Sequence, residues 1–226
     1  MKTLFLQILA TLFLALPNVT FGQVVGFSAP GGSNYEMVFI PGPKLEDSGE
    51  FERIAPKMYL TPNYLAAKVD NIVETIFLKY NIYKDEMEFS KNGQVLFLKK
   101  QNGRIITFDS LNQKYKIFKF EDKLAHFMVH NDGKNQLLSR QIVKFQKEKL
   151  AKTSYQVDKP ADFKRQKDVF YLKFDNVIKE ISSSKRKFYD VFGDQAKSVK
   201  KFVKTENLNI KNIEGLEKIM QHLNTI

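Results

Sequence analysis

The three histidines of the chain are the side chains best suited to acid–base chemistry or to metal binding, because the sequence has no cysteine. His126 and His130 are four residues apart in a segment with the composition of a β-strand. On an extended strand their backbones stand about 13 Å apart, which is too far for both to bind one zinc ion. His222 lies close to the end of an expected helix, where a cation is favoured. The sequence therefore predicts surface or half-buried roles for His126 and His130 and no metal site.

Paired carboxylates are the second feature that could carry chemistry, since two acids across a cleft can hydrolyse a glycosidic bond. Such pairs occur at Asp85-Glu86, Glu121-Asp122 and Glu46 with Glu50. Each pair falls in a predicted turn or linker, where turn formation and solubility explain it. Ser-x-x-Lys spacing also occurs, without the companion motifs that give it meaning. The sequence predicts no catalytic residue and no cofactor, and we expect a protein that is not an enzyme.

The first 22 residues have the three parts of a secretory signal peptide. Lys2 precedes an apolar stretch from Leu4 to Leu16, and the small residues Thr20 and Gly22 precede Gln23. The apolar run is shorter than the roughly 20 residues of a membrane span, so cleavage is favoured over an uncleaved anchor. Without a cysteine, a lipid-anchored N-terminus is excluded. We expect a periplasmic or secreted protein that is soluble and not lipidated, with no transmembrane anchor.

Composition divides the remaining chain into three parts. Residues 23–56 are rich in glycine and proline and are predicted to be loosely ordered, with at most one short strand at residues 35–40. Residues 57–160 form a predicted β-meander domain. Residues 161–226 are predicted to hold one or two short strands followed by a C-terminal helical segment.

Turn residues define the meander. Asn92-Gly93 and Asn102-Gly103 tolerate the positive φ angles of tight hairpin turns. Asp132-Gly133 predicts a third hairpin, between strands over residues 124–130 and 136–145. The first turn would place Phe89 opposite Leu96, and the second would pair the strands on either side of residues 102 and 103. The expected fold class is α+β: an antiparallel β-meander of about six to eight strands, forming a curved sheet or an open barrel, followed by two or three short helices.

Further elements follow from apolar periodicity and capping residues. Strands are predicted at residues 72–83, 115–120 and 169–172, the last of which pairs with residues 177–181. Ser184 is the expected N-cap of a helix over residues 185–192, and Gly193 the residue that ends it. Asp194 is expected to cap a second helix that reaches about Glu206. An apolar stripe predicts the last helix over residues 212–224.

Two segments carry a resemblance to a known family. The string from Leu78 to Phe89, with the Asn-Gly turn that follows it, resembles exported, uncharacterised proteins of Bacteroidetes-type bacteria. The lysine-rich helix, the Asn207-Leu208-Asn209 joint and the short final helix are similar to the same family. The likeness covers most of residues 70–226. It implies a shared fold and export, and it implies no site residues because the family carries no known activity.

The net charge of +11 is the remaining indication of a partner. Residues 164–204 contain twelve basic side chains and five acidic ones. Such a field attracts anionic surfaces. The side chains expected to contact one are Lys185, Arg186, Lys187, Lys197, Lys200, Lys201 and Lys204. A solvated helical face is the alternative explanation, and export makes nucleic acid an unexpected partner.

The sequence thus predicts an exported, non-catalytic envelope protein that serves as a structural or binding module. Its partner would be an envelope protein, a lipid or an acidic polysaccharide. The alternative is a carrier or sensor of an apolar, lipid-like envelope ligand, held in a cavity of the curved β-sheet. Oligomeric state, ligand identity and final compartment stay open.

Overall fold

A computed structural model describes residues 23–28, 34–41, 49–153, 155, 157–174, 177–182 and 184–225 of the 226-residue chain. The predicted signal peptide, residues 1–22, lies outside the described residues. The strands are β1 (Gln23–Ser28), β2 (Asn34–Pro41), β3 (Leu65–Val69), β4 (Ile76–Asn81), β5 (Glu86–Lys91), β6 (Gln94–Leu98), β7 (Ile105–Phe108), β8 (Gln113–Phe120), β9 (Lys123–Val129), β10 (Gln136–Arg140), β11 (Val143–Gln146), β12 (Asp162–Arg165), β13 (Val169–Phe174) and β14 (Val177–Glu180). The helices are α1 (Gly49–Ile54), α2 (Lys185–Asp190), α3 (Ala196–Thr205) and α4 (Ile213–Leu223).

The fold class is α+β, with a curled antiparallel sheet and short C-terminal helices. Twelve strands lie in the order β1-β2-β6-β5-β4-β3-β7-β8-β9-β10-β13-β14, and β11 and β12 pair separately. The ten strands from β3 to β10 together with β13 and β14 form a half-barrel. The predicted number of six to eight strands was too low. Part of the difference lies in residues 23–56, where two strands occur instead of at most one, because β2 adds to the edge of the sheet beside β6.

Three of the predicted turns are confirmed. Phe89 lies opposite Leu96 across β5 and β6, and Asn92 and Gly93 both have positive φ angles. The chain also reverses between β9 and β10 at residues 131–135, and between β8 and β9 at Glu121 and Asp122. Antiparallel pairs with tight turns fix register locally, which is why sequence alone could place them.

The hairpin predicted at Asn102-Gly103 is wrong, because β6 and β7 are not neighbours in the sheet. Strand β6 pairs with β5 and β2, while β7 pairs with β3 and β8. The turn instead lies against β8, where the Gly103 N–H donates to the Ile117 carbonyl at 2.7 Å. Strand β3, which was not predicted, pairs with β4 on one side and with β7 on the other, so β5, β4 and β3 lie between β6 and β7.

Two strands are shorter in the structure than the sequence predicts. The strand expected over residues 72–83 is limited to β4. The strand expected over residues 136–145 divides into β10 and β11, because the buried side chain of Gln141 accepts a hydrogen bond from the Tyr115 hydroxyl at 2.9 Å. That polar contact interrupts the alternation of buried and exposed side chains along the predicted strand.

The core lies on one face of the sheet and under the C-terminal helices. The largest apolar cluster takes alternate residues of β3 to β8, among them Leu78, Met87 and Ile106, together with Ile54 and Met58 from the segment before β3. A second cluster packs α2, α3 and α4 against β10 and β13. Burial of these side chains supplies most of the folding free energy.

The helices follow the predicted order with different caps. Ser184 precedes α2 but its side chain makes no capping hydrogen bond, and Asp194 lies in a 3-10 turn one residue further from α3 than expected. Asn212 caps α4 through the N–H of Gly215, at 2.9 Å. Among the described residues, no helix is long and apolar enough to cross a membrane.

Candidate functional site

The turn between β4 and β5 positions Asp85, whose carboxylate has polar partners on several strands. The Asn81 side chain at the end of β4 accepts a hydrogen bond from the Lys84 N–H at 3.0 Å and donates to Glu88 at 2.9 Å, which shapes the turn from inside. Asp85 itself has a φ of 57°, a left-handed conformation that Asp and Asn tolerate better than most residues. The turn thereby directs its carboxylate toward β9.

Four side chains and one backbone group surround the Asp85 carboxylate. The Tyr80 hydroxyl donates to Oδ1 at 2.8 Å, and Lys100 Nζ lies 3.1 Å from Oδ2. The backbone N–H of His126 lies 3.3 and 3.4 Å from the two oxygens, and its Nδ1 lies 3.2 Å from Oδ1. Arg140 Nη2 stands 3.9 Å from Oδ2. Asp85 thus joins residues from β4, β9, β10 and the segment after β6.

These contacts keep Asp85 ionised. Burial alone would raise its pKa, but the hydrogen bond and charge of His126 and the charge of Lys100 outweigh burial and lower the pKa to about 2. Burial raises the pKa of the adjacent Glu86, against the opposing charge of Lys100. Asp85 is therefore an anion at neutral pH, which favours a supporting role for its carboxylate over that of a general acid.

His126 supports Asp85 from inside the protein. Its Nδ1 faces two acceptors, the carboxylate and the backbone carbonyl of Asp85, so Nδ1 carries a proton. The side chain is 0% exposed, and Nε2 is buried without a hydrogen-bond partner. A ligand in solvent cannot reach the ring, which therefore positions Asp85 rather than serving as a base.

A surface pocket of about 290 Å³ opens above this network. Its lining includes four cationic side chains, Lys84, Lys100, Lys123 and Arg140, and two acidic ones, Asp85 and Glu121. Phe120 and Leu124 add an apolar wall. Asp85 neutralises part of the charge of Lys100 and Arg140, and Glu86 also lies 3.4 Å from Lys100. The Lys84 ammonium lies over the Phe97 ring, and Lys123 is exposed. The excess of cations fits a small anion such as a phosphate or a carboxylate.

The predicted anion-contacting residues lie elsewhere. Lys185, Arg186 and Lys187 belong to α2, and the side chain of Lys187 is exposed. Lys197, Lys200, Lys201 and Lys204 are exposed on α3, opposite the buried Val199 and Val203. We call these four lysines the α3 stripe. The structure does not bring the stripe to the Asp85 pocket, and its role as an anionic-surface contact stays a prediction.

Only one of the three histidines differs from the sequence interpretation, since His130 is half-buried as predicted and His222 lies near the end of a helix. His126 is fully buried rather than half-buried. His130 accepts or donates a hydrogen bond at Ser139 Oγ, 2.8 Å from Nε2, and burial lowers its pKa to about 4. His222 lies in the last turn of α4 as expected, but its ring stacks on Phe202 of α3 with 4.0 Å between centroids. Within the described ranges, no group of three or more His, Asp or Glu side chains is arranged to hold a metal ion.

The sequence analysis missed the role of Asp85. The turn was predicted correctly, but the carboxylate was assigned to solubility, whereas the structure leaves only 16% of the side chain exposed. The one local signal was an aspartate in a turn next to an apolar strand, which does not distinguish a solvated carboxylate from a buried one. Its partners, from Lys100 to Arg140, are 15 to 55 residues away along the chain.

Comparison with protein-family models, with curated proteins and with solved structures gives no match. The resemblance of residues 70–226 to exported Bacteroidetes-type proteins therefore stays a prediction.

Proposed function

We propose that the protein is an exported, non-catalytic binding module that holds a small anionic ligand in the Asp85 pocket. The observation that carries this proposal is the convergence of Lys84, Lys100, Lys123 and Arg140 on one pocket of about 290 Å³. A volume of this size accommodates a phosphorylated or carboxylated small molecule rather than a polymer.

The network below the pocket supports binding rather than turnover. Asp85 is ionised and occupied by hydrogen bonds to Tyr80 and His126, and the His126 ring is sealed from solvent. The network offers a ligand the remaining positive charge of Lys100 and Arg140, whose positions are held by Asp85. Such preorganisation improves affinity because little ordering is left for the binding step.

The rival hypothesis, an apolar carrier, has weaker support. The large apolar cluster occupies the face of the curled sheet where such a ligand would have to lie, and Leu78, Met87 and Ile106 are fully buried there by their neighbours. A cavity large enough for a lipid would require this cluster to separate.

Calorimetric titration with inorganic phosphate, citrate and glucuronate tests the proposal. We expect at least one of these anions to bind one site per chain, with an affinity that falls as salt is added. In Lys84→Gln and Lys123→Gln, which change the pocket rim and leave the Asp85 network intact, binding should weaken about fivefold or more each.

Lys91→Gln is the matched control, because Lys91 is an exposed lysine at the end of β5 outside the pocket. It should bind like the unmodified protein. Equal weakening in all three variants would show nonspecific attraction to net charge, and the pocket would then have no part in the function. No binding of any of the three anions would also count against the proposal.

A further inference from the structure

Residues 143–153, 155 and 157–165 belong to a second unit that the pocket does not explain. Strands β11 and β12 pair from Val143 opposite Arg165 to Gln146 opposite Asp162, and an isolated bridge joins Lys149 to Lys159 in the same register. Ladder and bridge thus belong to one long hairpin, which we call the β11–β12 arm. Its strands do not belong to the twelve-stranded sheet.

The base of the arm is anchored to the body. Val143 and Phe163 are buried, and the Phe163 ring lies edge-on to Phe51 and Tyr83 at centroid distances of 6.3 and 4.9 Å. Lys57 Nζ lies 2.7 Å from the Asp162 carboxylate. These contacts fix the direction of the arm while leaving its far end outside the core.

The tip of the arm exposes large apolar side chains. Beyond the Lys149–Lys159 bridge, Tyr155 is 98% exposed, Val157 82% and Leu150 62%. Scattered exposed apolar residues are ordinary on protein surfaces, but three within eight residues at the end of a hairpin make a local patch.

Lysines surround this patch. Lys147, Lys149, Lys152 and Lys159 stand beside or within the tip, against Glu148 and Asp158. The Asp158 carboxylate already accepts the Ala151 N–H at 2.6 Å, which fixes the tip. Apolar side chains at the end and cations immediately behind them match the two layers of an anionic bilayer surface, where headgroup phosphates lie outside the acyl chains.

The dimensions of the tip favour a bilayer over a protein partner. A stable protein interface buries about 800 Å² on each side. Three side chains at the end of a two-stranded hairpin expose much less, since even a large aromatic side chain offers about 150–250 Å². A bilayer needs no shape complementarity, and lysine stems can extend along its apolar boundary while their ammonium groups stay at the phosphates.

We propose that the β11–β12 arm docks on anionic lipid bilayers, with Leu150, Tyr155 and Val157 at the boundary between headgroups and acyl chains and the flanking lysines on the headgroup phosphates. This interaction is independent of the Asp85 pocket, which lies on other elements.

Tyr155→Trp provides a direct test, because the natural chain contains no tryptophan and all indole emission then comes from residue 155. With vesicles of equal parts phosphatidylglycerol and phosphatidylcholine, we expect a blue shift of the emission and quenching by lipids brominated on their acyl chains. Phe77→Trp is the matched control, since Phe77 is an exposed aromatic residue of β4. Its emission should not change. Equal responses at both positions, or no response at residue 155, would overturn the proposal.

A second comparison separates the arm from general positive charge. The triple variant Lys147→Gln, Lys149→Gln, Lys159→Gln should lower the fraction that sediments with the same vesicles about tenfold or more. The triple variant Lys197→Gln, Lys200→Gln, Lys201→Gln on the α3 stripe removes the same charge and should leave sedimentation nearly unchanged.

The remaining outcomes are equally decisive. If both triple variants lose sedimentation equally, net charge rather than the arm carries the interaction. If vesicles of pure phosphatidylcholine bind the protein as well as the anionic ones, the lysines have no part and the proposal is wrong. Concentration-dependent self-association of the Tyr155→Trp variant that buries the introduced indole without lipid would assign the tip to a second copy of the chain instead.

Discussion

The half-barrel and the C-terminal helices are stabilised in different ways. Between β4 and β10 a polar network centred on Asp85 joins distant strands through hydrogen bonds and charge. The helical segment is held by apolar packing, in which Phe188, Phe192 and Leu216 are nearly or fully buried against β10 and β13. The half-barrel, which has an apolar core as well, should therefore respond to changes of charge more strongly than the helical segment, which should respond mainly to changes of volume.

The largest effect is expected from Asp85→Asn. This substitution removes the charge that pairs with Lys100 and His126, and the Asp85 side chain is only 16% exposed. We therefore expect the free energy of unfolding to fall by about 3 kcal/mol. Urea denaturation at neutral pH measures it.

Asp122→Asn is a close control for this change. Asp122 also has a positive φ, 62° against 57° at Asp85, so asparagine suits both backbones equally, but Asp122 is exposed in the β8–β9 turn. Its substitution should cost less than about 0.5 kcal/mol. Similar losses at both positions would mean that the network contributes nothing beyond the turn itself.

Acid should reduce the contribution of Asp85 to the free energy of unfolding. The folded pKa of about 2 lies below the ordinary value of 3.8, so the unfolded chain binds the proton first as the pH falls. The stabilisation is complete above about pH 4 and is lost as the pH falls through about 2, in total about 2 kcal/mol. The difference between the unmodified protein and Asp85→Asn should narrow over this range, whereas a constant difference would contradict the assigned pKa.

In the helical segment, Gly215→Ala tests how the free energy of unfolding responds to added side-chain volume. Alanine is intrinsically better in a helix by about 1 kcal/mol. A Cβ at this position, however, would lie 2.1 Å from the backbone carbonyl oxygen of Asn209. We expect a net loss of about 2 kcal/mol that does not depend on pH, measured by urea denaturation. Lys218→Ala, at an exposed position of the same helix, should change stability little; a gain in Gly215→Ala would show that Asn209 can move away.

The two regions also differ in how far the sequence revealed them. The apolar stripe of α4 and the Asn92-Gly93 hairpin were predictable because helix period and turn geometry act over a few residues. The neighbours of β7 and the burial of Asp85 were not, because each depends on strands brought together from distant parts of the chain. Gly215 in α4 shows the same limit. Helix propensity indicates only that glycine destabilises the helix, and the close packing of Gly215 against Asn209 explains why a glycine is present.

The smallest effect is expected on the α3 stripe. Its four lysines make four pairs that are three or four residues apart, and the ammonium groups of each such pair repel each other by roughly 0.2–0.5 kcal/mol. Substituting Lys200 and Lys201 with glutamine should leave stability unchanged or raise it slightly at low salt, and the gain should vanish as salt screens the repulsion. Thermal denaturation at two salt concentrations measures this. A clear loss of stability would mean that these cations have stabilising partners, as those around Asp85 do, and the contrast between the two regions would then be one of degree.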